Sequence, residues 1–313
     1  MTLNLDNNKK EWLINIAMMA IMALFITLTC VLENTETLLL TPIITADAFL
    51  ESMPYLTFNW FGNEVVLQQL SSTIMVEGLG LAIVVVGIII AITKRANKTG
   101  LYWGIGLVLW GLGAAVAGVS YQAFGYELKA AGQEYVLFTS NWELSYMILT
   151  AFATNYMLVG TAYATTEGKV RKNLTIFAIC HSIAYGFYML IGAVFAIEFL
   201  ISYFGFVVFV AIDFIIMFYL NVTHMIKYQD KFSKNLIWAW IDFAVANIGY
   251  FICYWCSMGT KLYENYGVWF TENDVLHLLL LVWAIHFFIV LMSVVPKTPW
   301  EKEQFTPVSA NKK

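Results

Sequence analysis

Charge is scarce in this chain. Only 12% of its 313 residues are Asp, Glu, Lys or Arg, while 60% are hydrophobic and the mean hydropathy is +0.71. A soluble domain carries about twice that charge, so the surplus apolar surface has to be solvated by lipid. There is no stretch polar enough for a separate soluble domain. A formal net charge of −4 argues against a nucleic-acid partner. No Lys lies between Leu276 and Val295, which excludes a retinal Schiff base in the last apolar run. The chain has four His, none of them paired at i, i+4. That excludes paired axial haem ligands and a zinc site built from His alone. Cys253 and Cys256 have redox-motif spacing but sit in an apolar helix, where Cys packs as a small hydrophobe. No internal repeat is visible, so the inverted-repeat signature of many transporters is missing.

What is present is a series of apolar runs, each near the roughly 20 residues that a helix needs to cross the hydrocarbon. They cover 12–32, 71–94, 101–123, 144–165, 173–194, 198–221, 236–258 and 275–295. The expected fold is an all-α polytopic bundle of eight transmembrane helices, a seven-helix core behind an N-terminal anchor helix. The stretch from Leu174 to Leu220 is too long for one span and is expected to break in a tight hairpin near Ala196–Glu198. Fifteen of the seventeen Lys and Arg then fall on one side, leaving Lys129 and Lys261 on the other. By the positive-inside rule both termini are cytoplasmic, and the plasma membrane is the expected location. Residues 1–11 form the cytoplasmic N-terminus and 12–295 a single transmembrane domain. Outer loop 33–70 either lies in the interface or folds back as a cap. Tail 296–313 is expected to be disordered.

Gly104, Gly111, Gly118 and Gly125 recur every seven residues in the third span. Such a stripe lets a backbone approach closely, either inside the bundle or across a homo-oligomer seam.

Ionisable groups within spans usually face the bundle interior and meet a partner. Depth, counted at about 1.5 Å per residue, sorts them into two sets. The inner set is His181, Asp213 and Asp242, suited to a proton relay or a cation pathway, or to an interhelical clasp. The outer set is Glu77, Ser120, Tyr121, Asp274 and His277, with Asn273 beside them. Asp274 and His277 are three apart and share a face. Asp274 could orient the imidazole or join it, with Glu77, as ligand to a divalent metal such as zinc; alternatively it caps the helix. His286 lies about half a turn from His277 in azimuth, so one metal cannot easily take both.

Glu272-Asn273-Asp274-Val275-Leu276-His277 at the start of the last span resembles the last helix of the alkaline ceramidase-like superfamily of seven-helix membrane hydrolases. The resemblance implies a zinc-assisted hydrolase of a lipid amide or ester. It aligns His277 with the second of two paired His, and Asn273 replaces the first. Ser120 corresponds to the family's serine. On this reading His277 and Asp274 activate water or hold metal, Glu77 is a second carboxylate, Ser120 or Tyr121 steadies the oxyanion, and membrane lipid is the partner. The rival reading is a proton- or cation-coupled transporter built on His181, Asp213 and Asp242. A third is a non-catalytic sensor or assembly subunit.

Overall fold

The computed structural model describes residues 5–300, Phe305 and Pro307. Twelve α-helices appear in chain order: α1 (Leu5–Leu32), α2 (Ala46–Glu51), α3 (Leu70–Thr93), α4 (Lys98–Ala117), α5 (Gly125–Lys129), α6 (Asn141–Thr165), α7 (Gly168–Val194), α8 (Glu198–Ile201), α9 (Tyr203–Tyr228), α10 (Lys231–Trp255), α11 (Met258–Tyr266) and α12 (Glu272–Val294). A π-helical turn, Gly118–Ala123, extends α4, and strands β1 (Tyr55–Trp60) and β2 (Asn63–Gln68) form an antiparallel hairpin. Among the described residues, seven helices are long and apolar enough to cross a membrane: α1, α3, α4 with its π-turn, α7, α9, α10 and α12.

Helix α6, less apolar than these seven, lies at the centre of the bundle. It packs against α1, α4, α7 and α9, and most of its side chains are buried. A helix shielded by protein need not present an apolar face to lipid, so its sequence tolerates polar residues. The hydroxyls of Thr150, Thr161 and Thr165 each donate to a carbonyl one turn back, which satisfies them without water.

The break expected near 196–198 is a turn at Phe195–Ile197, with Ala196 in the left-handed region at φ 51°. The short α8 follows, and Ser202 then caps α9 by accepting from Gly205 N at 3.0 Å. The helix expected from 198 therefore begins at Tyr203.

The glycine stripe is occupied within the chain. A Cβ on Gly104 would lie 2.5 Å from Ala91 N, one on Gly111 2.7 Å from Gly80 O, and one on Gly118 2.5 Å from Val76 Cγ1. Helix α3 packs on that face at Gly104, Gly111 and Gly118, the close approach within the bundle that was one of the two readings of the stripe.

Segment 33–69 folds onto the 130–140 loop as a cap. Leu40 N donates to Val136 O, and Phe138 N to Leu38 O, at 2.9 and 2.8 Å. Gln68 Oε1 accepts from Tyr126 N, and Glu127 Oε1 from Val66 N. At the opposite, tail end of the bundle, Asn97 Nδ2 donates to Thr298 O and Trp300 packs edge-on to Phe232. The first residues after Pro296 are thus docked rather than disordered; 301–304, 306 and 308–313 lie outside the described residues.

Candidate functional site

A cavity of about 790 Å³ opens between α9 and α10, with further wall from α3, α4, α6 and α12. Its lining includes Ile215, Tyr219 and Phe251, which are 68%, 64% and 45% exposed. The opening therefore faces sideways, through the surface that the apolar helices present to lipid. The α9 wall runs from Tyr203 to Val222, about 28 Å along the axis.

Polar groups are few and unevenly spread. Tyr203, Tyr146 and His277 each sit within about two turns of the cap-side ends of α9, α6 and α12. Thr150, Thr154 and Asn247 lie midway, and the remaining wall is aromatic and aliphatic apart from Tyr219 near the tail end. Asn247 is self-contained, since its Nδ2 donates to Phe243 O at 2.7 Å. His277 is not: Nδ1 is buried without a hydrogen-bond partner among the described residues. An imidazole edge with a free nitrogen in an apolar wall is a recognition point for a polar ligand group.

The outer set is only partly assembled here. Asp274 is the N3 residue of a capping box: Thr271 N and Oγ1 donate to its Oδ2 at 2.6 and 3.2 Å, and the side chain is fully buried. Glu77 packs on the π-turn, where a Cβ on Gly118 would meet its Oε1 at 2.6 Å. Ser120 is buried and donates to Ala117 O at 3.2 Å. Tyr121 reaches the wall indirectly, its hydroxyl 3.4 Å from that of Tyr146. His277 alone lines the cavity. Among the described residues no three His, Cys, Asp or Glu side chains are grouped to hold a metal ion. The expected set of His277, Asp274 and Glu77 is thus not formed. Asp274 gives its Oδ2 to the start of its own helix and Glu77 packs at the α3–α4 contact, while Asp274 Oδ1 and Glu77 Oε1 are buried without a hydrogen-bond partner among the described residues.

The inner set divides. His181 Nδ1 lies 3.0 Å from Asp213 Oδ1, with side chains 8% and 0% exposed. The two are in reach but out of line for a formed hydrogen bond. The His181 ring is stacked between Phe177 and Phe209, at centroid distances of 5.2 and 4.3 Å. Thr154, in the cavity wall, is 2.9 Å from Asp213 Oδ2. Asp242 does not join them. Its Oδ2 is 2.5 Å from His286 Nδ1, because α10 packs on α12 while α9 packs on α6.

A buried ion pair also stands outside both sets: Lys129 Nζ to Glu143 Oε1 at 2.7 Å, with the ammonium 5.2 Å from the Tyr121 ring. Ser140-x-x-Glu143 ahead of an apolar run is a capping-box pattern that marks Glu143 as first-turn; nothing in the sequence points to Lys129 as its partner. The chain matches no family model, no curated protein and no solved structure.

Proposed function

We propose that this is an eight-span integral membrane protein, termini cytoplasmic, that takes a lipid-like amphiphile from the bilayer into the lateral cavity. The apolar chain lies along α9 and the polar end meets His277, Tyr203 and Tyr146. One observation carries this reading: a cavity of about 790 Å³, open to the lipid-facing surface, whose unpartnered imidazole sits toward one end. Its volume lies within the roughly 300–1,000 Å³ of small-molecule sites. Hydrolysis of a lipid amide or ester would need a second group beside His277 in the cavity, and neither Asp274 nor Glu77 lines it. Binding is therefore the better-supported activity.

The test is purification in mild detergent, lipid extraction and mass spectrometry, alongside labelling by a photoreactive single-chain amphiphile. Labelling should map to Phe214–Phe218 and fall at least tenfold when Ala211→Trp fills the cavity. Equal labelling of both proteins, with no amphiphile retained, would remove the proposal. Turnover of lipid esters and amides by wild type and His277→Ala decides whether chemistry follows binding.

A specific contact favours proton-linked movement of that ligand as a second reading. The single hydroxyl hydrogen of Thr154 has two acceptors at 2.9 Å, Asp213 Oδ2 and Ala151 O. Ionised Asp213 takes that hydrogen; protonated Asp213 donates its own and releases the hydroxyl to Ala151. The cavity wall thereby senses the proton on the His181–Asp213 pair. Uptake of the amphiphile into proteoliposomes should respond to a pH gradient in wild type and not in Asp213→Asn.

A further inference from the structure

The Asp242–His286 pair belongs to neither site and lies on the wrong side of its helices to serve the cavity. Trp240, Ala244 and Asn247 turn α10 toward the cavity, and Leu276, His277 and Leu280 turn α12 there. The pair sits on the outer side of the α10–α12 seam, with side chains 36% and 33% exposed. It is far from water: Asp242 is eleven residues inside the start of α10, and His286 eight from the end of α12, more than about 12 Å from either end. Around it Trp238, Ile241, Val245, Ile285 and Ile289 are all more than a third exposed. A carboxylate and an imidazole thus face hydrocarbon in the middle of an apolar surface. Such groups are costly there and ordinarily meet a protein partner.

Each residue has spent one polar atom on the other. Among the described residues, no hydrogen bond is made by His286 Nε2 or Asp242 Oδ1. With hydrogen on Nε2, the imidazole offers one donor and the carboxyl one acceptor, at a common depth because the side chains touch. That combination is self-complementary. A two-fold axis along the membrane normal keeps both copies at one depth, and an isologous interface pairs each residue with its counterpart's partner. We infer that this face is a homodimer interface in which His286 of each copy donates to Asp242 of the other. The result closes a ring of two carboxyl and two imidazole groups. The apolar ridge on either side supplies close packing, which together with interhelical hydrogen bonds drives helix association in lipid. This interface is separate from the cavity and does not depend on what the cavity binds.

The experiment uses the full chain, reconstituted with one fluorophore per copy at rising protein-to-lipid ratio and read by energy transfer and two-step photobleaching. Wild type should be dimeric; Asp242→Ala and His286→Ala should each associate about tenfold more weakly, because each removes one partner of both interhelical hydrogen bonds. The decisive arm mixes the two variants. Asp242→Ala keeps its imidazole and His286→Ala keeps its carboxylate, so one ring contact is restored only in the mixed pair. Mixed pairs should exceed the twofold excess over either like pair that random association of equal amounts gives. Thermal unfolding of each variant checks that it is folded, and Ile285→Cys, cross-linked in otherwise wild-type protein, reports the interface without touching the pair. A wild type that stays monomeric at every density, with Ile285→Cys left uncross-linked, would overturn the inference, as would variants that mix without preference.

Discussion

Thr154 and Asp213 are joined at 2.9 Å across the α6–α9 interface, and the same threonine forms part of the cavity wall. A fully buried carboxylate is thus one hydrogen bond from the space where a ligand would lie. Its other oxygen is 3.0 Å from an imidazole held between two phenyl rings. Depth, burial and aromatic stacking leave this pair little freedom to relax, so changes to one member should be felt by the rest.

Thr154→Val removes a hydrogen-bond partner from a buried carboxylate and should lower stability by about 1–2 kcal/mol. His181→Phe, which keeps the aromatic stack but leaves Asp213 without its imidazole, should cost more, about 3 kcal/mol. The double variant His181→Phe with Asp213→Asn should be less destabilised than the sum of the singles. Thermal unfolding in detergent measures all of these; strict additivity would show that the two side chains do not interact.

His277→Ala should leave the fold intact, because no hydrogen bond of His277 is lost with it. It should weaken retention of a polar-headed amphiphile about tenfold while changing retention of a plain hydrocarbon chain little. Competition binding with the two ligand types separates these outcomes. An equal loss for both would mean that His277 shapes the wall and recognises nothing.

Gly111→Ala places a methyl 2.7 Å from Gly80 O, a backbone atom that cannot step aside. The α3–α4 contact should loosen at a cost of about 1–3 kcal/mol. Because the stripe faces α3, oligomeric state should be unchanged, which the same photobleaching measurement checks.

Asp230 caps α10 at the tail end, accepting from Ser233 N at 2.7 Å and lying 2.6 Å from His224 Nδ1. Burial alone would raise its pKa, but the His224 hydrogen bond and the Ser233 amide hold it below its ordinary value. A carboxylate depressed on folding contributes stability above its unfolded pKa, near 3.9, that is lost as pH falls through the lower folded value. Unfolding measured between about pH 5 and pH 2 should show that loss in wild type and a flatter profile in Asp230→Asn. Asn keeps the cap, so stability at neutral pH should fall by less than for Asp230→Ala, which loses about 1 kcal/mol of capping as well.

Much of the architecture was legible. Apolar runs located the long helices within a few residues, and the lone Glu198 marked the turn after Val194. The polar content of α6 was consistent with its run but not with its place: hydropathy cannot reveal that a helix is central when lipid and protein both exclude water. The site was less legible. Depth correctly put His181 beside Asp213, yet it also put Asp242 with them, and Asp242 belongs to His286. Likewise the i, i+3 spacing of Asp274 and His277 was real, but the capping box took Asp274 and left His277 alone at the cavity.

The sequence by itself determined a lipid-solvated helical protein and the height of each polar group, because hydropathy and a constant rise per residue are properties of one chain segment at a time. Which groups meet was decided by tertiary packing. Azimuth and neighbour choice depend on how α9 settles against α6 and α10 against α12, and those contacts arise from side-chain shapes on several helices at once. The lateral cavity is likewise a property of that packing, a gap that no single helix encodes.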